Sequence, residues 1–194
     1  MTLIALLLVL TQAQASPAPS AATAVARLRA KLPVVALTNP SATQLAGHYT
    51  STPKELGEHI GGGFLSGDDL YLFPDGTYIY CEWADVMPTI IVDKGRWTFE
   101  DGVVALRSDP DIKWHTRLER YFVAVRRVSH PHEAFLVGIE RALAEFEENA
   151  KDGPGFMLLV VGKKREQAIT PAQTPRLERK LMRESWRPDF YHKD

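Results

Sequence analysis

Pro74-Asp75-Gly76, set between the apolar runs 70–73 and 77–83, constrains this chain more than any other feature. Proline presets φ at one turn position and glycine accepts the positive φ that chain reversal needs, so the two runs form a β-hairpin. The pattern recurs at residues 95–99 and 103–106, joined by Glu100-Asp101-Gly102. Asp-Gly between strand-like runs is again a tight-turn signal. Residues 45–51, 120–128, 134–138 and 156–161 supply further β-rich runs. About eight strands at such short spacing favour a sandwich or closed barrel. Within residues 77–83, Tyr78, Tyr80 and Glu82 share one face, and Ile79, Cys81 and Trp83 the other. Both faces are substantially apolar, whereas a half-exposed sheet alternates more cleanly. The expected fold class is mainly β with flanking α-helices: an antiparallel barrel or strongly curved sheet, its interior filled or ligand-bearing.

Two stretches carry helical periodicity. Ile139, Leu143 and Phe146 line one face of residues 138–150; Leu177, Leu181 and Met182 line one face of residues 175–186, with Pro175 in the first turn. Both are expected to cover the barrel. Residues 16–44 are rich in Ala, Pro, Ser and Thr, with a short helix over 23–32 marked by Val25, Leu28 and Leu32. They read as a loosely packed arm ahead of a single domain over 45–194.

Thr2 to Leu10 is apolar throughout. At about 1.5 Å per residue it falls far short of a hydrocarbon core of roughly 30 Å. Followed by Ala13-Gln14-Ala15, it has the apolar core and A-x-A cleavage site of a secretory signal over residues 1–15, although no Lys or Arg precedes it. No later apolar segment is long enough to span a bilayer. The mature chain is therefore expected to be periplasmic or secreted, without a transmembrane segment.

Charge narrows the partners. The chain has 23 basic and 24 acidic residues, a formal −1, which offers no support for nucleic acid as the main partner. That neutrality is a cancellation: residues 47–112 hold 4 basic and 12 acidic side chains, and residues 163–194 hold 9 and 5. The expectation is that the basic tail docks against the acidic barrel, in preference to an anionic membrane or nucleic acid. Cys81 is the one cysteine, so no intramolecular disulfide or cysteine-rich zinc module can form. Its strand-like setting suggests a buried small hydrophobe.

The run Leu70-Tyr71-Leu72-Phe73-Pro74-Asp75-Gly76-Thr77-Tyr78, then Gly95-Arg96-Trp97 and its following hairpin, resembles small bacterial envelope proteins with lipocalin-like or calycin-like β-barrels. Gly47-His48-Tyr49 resembles the Gly-x-Tyr or Gly-x-Trp near the first strand of such barrels. The resemblance covers residues 45–108 and rests on motifs that encode hairpins, not chemistry. It implies an exported small barrel holding an apolar ligand. The lipobox cysteine and Cys-x-x-Cys of the copper-stress members of this group are missing, so metal sensing does not carry over.

Other constellations say less. Gly61-Gly62-Gly63 lacks the Gly-Lys-Ser/Thr of a phosphate loop, and Asp68-Asp69 follows it, so a flexible loop is the better reading. His130-Pro131-His132-Glu133 offers metal-ligand types, but proline between the histidines fits a turn, and further ligands would have to converge from His48, His59 or His115. Glu82, Asp85, Asp93, Asp101, Asp109 and Asp111 sit mainly in turn or strand-end contexts. No cofactor or metal is called for. The leading expectation is an exported, non-catalytic protein binding a small, partly apolar ligand in a barrel, with Tyr78, Tyr80, Trp83 and Trp97 as lining residues. The alternatives are an envelope interaction or structural module and a hydrolytic enzyme using clustered carboxylates. Nothing in the sequence fixes an oligomeric state.

Overall fold

The computed structural model describes residues 21–51, 66–84, 87–110, 112, 119–140 and 162–185. Eight antiparallel strands close into a barrel: β2 (Gly47–Thr50), β3 (Ser66–Leu72), β4 (Thr77–Ala84), β5 (Met87–Glu100), β6 (Val103–Ser108), β7 (Tyr121–Arg127), β8 (Ala134–Gly138) and β9 (Gly162–Ala168). Each pairs with its sequence neighbour, and β9 returns to pair with β2. A short extra strand, β1 (Val34–Ala36), pairs with the carboxyl-terminal half of β7, where β6 no longer reaches.

Turn chemistry sets the hairpins. Gly76 has φ +82° and donates its N–H to the Phe73 carbonyl at 3.1 Å, while Asp75 Oδ1 accepts from the Thr77 N–H at 3.0 Å. At the next hairpin Asp101 and Gly102 both have positive φ, +51° and +81°. That is the two-residue turn whose twist matches its strands.

Among the described residues three helical elements lie outside the barrel wall. Helix α1 (Ala21–Lys31) lays Ala24 and Leu28 against the outward side chains Val123, Val125, Phe135 and Val137. Helix α3 (Thr174–Glu184) covers another outer face, where Leu177, Leu181 and Met182 pack on Phe73, Ile79, Cys81 and Ile91. Between them in sequence, the single turn α2 (Ala42–Leu45) closes one end, with Leu45 fully buried among the interior side chains. Inside the wall lie Tyr49, Leu70, Leu72, Tyr78, Trp97, Phe122 and Leu136. Strands covered on both faces explain the two-sided apolar pattern.

Several expectations change. Residues 21–44 are no loose arm: Leu28 is fully buried, and Ser41 caps the plug through a reciprocal capping box with Gln44. Strand β5 begins at Met87, well before residue 95. Pro88 is tolerated because β6 pairs with β5 only from Gly95 onward, so among the described residues the earlier segment has no strand on that side. The closing strand is Gly162–Ala168, so Lys163, Lys164 and Arg165 belong to the wall and not to a tail. The basic helix docks through its apolar side, and the ion pairs of α3 among the described residues, Lys180–Glu184 and Arg183–Glu184, are internal to it. The proposed signal over 1–15, the Gly61–Gly63 loop, the helix beyond Glu140 and the run 156–161 lie outside the described residues.

Candidate functional site

A polar layer lies within the barrel. Strand alternation sends Tyr78 and Tyr80 inward, and a bulge at Val92 re-aims β5 so that Asp93 follows them while Ile91 faces out. Tyr78 donates to Asp93 Oδ2 at 2.8 Å, and Ser108 donates to the same oxygen at 2.7 Å. Arg120 in turn donates to Ser108 Oγ at 2.8 Å. Nearby, Tyr80 donates to Asp68, whose other carboxylate oxygen takes the Lys163 ammonium at 2.5 Å. Burial raises the Asp68 pKa, but the Lys163 charge and hydrogen bonds from Lys163, Ser51 and Tyr80 outweigh it, so the carboxyl is held below its ordinary value. Burial, opposed by the Ser108 hydrogen bond and reinforced by Asp93, pushes the Tyr78 hydroxyl well up. These groups satisfy one another.

The four aromatic residues expected to line a ligand do not share one space. Tyr78, Tyr80 and Trp97 face inward, Trp97 donating its indole N–H to the Phe73 carbonyl at 2.9 Å. Trp83 lies on the outward face of β4, opposite the two tyrosines. The inward three are buried in contact with the aliphatic interior cluster.

A pocket of about 490 Å³ opens at the plugged end. The segment leading into α2 supplies Leu37, Thr38, Pro40, Thr43 and Gln44; the β7–β8 hairpin supplies Arg126, Pro131, His132 and Ala134; β9 supplies Arg165. Arg165 fixes the plug's position by donating to the carbonyls of Gln44 and Ala46, both at 2.8 Å. Gly47 makes this approach feasible: a Cβ there would stand 2.7 Å from Arg165 Nε and 2.8 Å from the Gln167 carbonyl. Sequence reasoning named His132 only as a metal-ligand type and did not single out Arg126; periodicity within β7 would place Arg126 with Phe122 and Ala124, but nothing local reveals the plug.

The other candidates among the described residues are dispersed; His59, Asp85, Asp111 and His115 lie outside them. His130 and His132 are exposed on the β7–β8 hairpin, and His48 stacks on Tyr71 at 4.5 Å with Nε2 3.0 Å from Asp69. Asp109 pairs with Lys94 at 3.0 Å, and Asp101 serves its turn. Among the described residues no three His, Cys, Asp or Glu side chains converge as metal ligands. Burial, with the nearby Asp69 charge, pushes the Cys81 thiol far above its ordinary pKa, the opposite of a nucleophile's environment. No helix among the described residues is long and apolar enough to cross a membrane. No protein-family profile, curated protein or solved structure matches this chain.

Proposed function

We propose that this is an exported, lipocalin-like, non-catalytic protein that binds a small, partly apolar ligand at the plugged end of its barrel. The carrying observation is the pocket of about 490 Å³ between the plug and the β7–β8 hairpin. Small-molecule sites commonly measure about 300–1,000 Å³ and mix apolar walls with a few polar groups. Leu37, Pro40, Pro131 and Ala134 provide such walls, and Thr38, Thr43 and Gln44 provide hydrogen-bonding groups. Binding in place of catalysis is supported by the interior acids, each engaged by a tyrosine and a further donor, and by the buried, protonated thiol. Export is supported by the apolar run and Ala13-Gln14-Ala15.

Native mass spectrometry of protein purified from its own host tests this reading. The expected result is a retained small molecule on the wild-type chain that is lost from Ala134→Phe, whose ring would fill the pocket. A ligand held equally by both forms, or none on either, would overturn it. The same spectra read the mature amino terminus, expected at Ser16.

A second reading, an envelope interaction module, has one observation in its favour. Arg176, Arg179, Lys180 and Arg183 are all exposed on α3. Changing Arg176 and Arg179 to glutamate would abolish salt-sensitive retention in the envelope fraction if that reading holds, and leave it unchanged otherwise.

A further inference from the structure

We infer that the plugged-end pocket is an oxyanion site, taking a small amphiphile by its carboxylate or phosphate through Arg126 and Arg165. This rests on the reading of that pocket as the ligand site and adds the ligand's chemical class.

The alternation of charge on two strands carries the inference. On β7, Arg126 lies on the inward face with Ala124, and its neighbour Arg127 faces out; on β9, Arg165 faces in and its neighbour Lys164 faces out. The outward pair shares one carboxylate, Glu133, at 3.6 Å from Arg127 and 3.8 Å from Lys164. The inward pair has no carboxylate partner among the described residues, and no Asp or Glu lines the pocket. Arg165 gives one hydrogen bond from each terminal nitrogen to a main-chain carbonyl, which does not cancel its charge. Its buried Nε has no acceptor among the described residues.

Two like charges lining one pocket are unfavourable until a counter-charge arrives between them. Guanidinium groups match planar or tetrahedral oxyanions with paired hydrogen bonds, and such charge-assisted bonds are roughly twice as strong as neutral ones. The hydroxyls of Thr38 and Thr43 are neutral donors on the same wall, and Leu37, Pro40 and Pro131 accommodate a short apolar chain. Arg165 is pinned by the plug, whereas exposed Arg126 is free to close on the bound group.

Isothermal titration of the full chain with octanoate, octyl phosphate and 1-octanol tests this. The expected result is that at least one anion binds about tenfold or more tightly than the alcohol. Arg126→Gln, checked for folding by circular dichroism, is expected to reduce that anion's advantage over the alcohol by about threefold or more. The stronger of octanoate and octyl phosphate identifies which oxyanion the site prefers. Equal affinity for all three probes would overturn the anion class and leave the binding reading standing. An anion preference undiminished by Arg126→Gln would also overturn the inference, since Arg126 would then take no part in holding the anion. Binding of none of the three would overturn the site reading and the inference together.

Discussion

Arg165 links three levels of this molecule through a single side chain. Its terminal nitrogens hold the carbonyls of Gln44 and Ala46, so a strand near the carboxyl end fixes the plug that closes the barrel. Hydrogen bonds involving charged groups contribute about 1.5–3 kcal/mol each. Arg165→Gln should therefore destabilise the fold by about 2–4 kcal/mol, read as a lower urea midpoint; an unchanged midpoint would mean the plug seats without it. Asp68 makes a second residue-scale case. Its pKa is lower folded than unfolded, so the stabilisation it brings is fully present above the ordinary Asp value of about 3.9. It fades as pH falls through the lower folded value. Asp68→Asn should flatten that acid limb in pH-dependent melting. It should also destabilise the protein at neutral pH by about 3–5 kcal/mol, because the buried Lys163 would lose the Asp68 charge. Equal acid limbs in both proteins would contradict the pairing.

The elements differ in how much of themselves they reveal. Both hairpins were legible because Pro74-Asp75-Gly76 and Asp101-Gly102 carry their turn chemistry locally, and the structure gives Gly76, Asp101 and Gly102 the positive φ those turns need. Strand β9 was hidden. Lys163 and Arg165 read as part of a basic tail docked on the barrel until Asp68, 95 residues earlier, and the plug carbonyls provide inward partners. Helix α1 was visible as a periodic face, but its alanine-rich sequence gave no sign that the wall behind it would bury Leu28 completely. Leu28→Ala should cost about 2–5 kcal/mol, whereas Arg29→Ala on the exposed side should stay within about 0.5 kcal/mol. Similar melting temperatures for the two would restore the loose arm. On α3, Leu181→Ala should lower the melting temperature more than Arg179→Gln, because the helix docks by its apolar face; the reverse order would restore charge as the docking force.

At the scale of the whole molecule, a closed barrel with both wall faces covered accounts for a chain that is apolar on both sides of its strands yet neutral in total. The acidic middle and the basic end touch inside the wall, at Lys163 on Asp68, whereas among the described residues the ion pairs of α3 stay within that helix. The candidate site was the least legible part. Its residues come from the plug segment, the β7–β8 hairpin and β9, and no local pattern announces that these three meet. The aromatic residues that drew attention first belong largely to the packed interior, since large rings are as useful for filling a barrel as for lining a cavity. The most direct measurement is a map of backbone amide chemical-shift changes as octanoate is added to the isotope-labelled full chain. The largest shifts are expected at residues 37–44, 126–134 and 165. Shifts centred instead on Tyr78, Tyr80 and Trp97, or spread evenly along α3, would contradict binding at the plugged end.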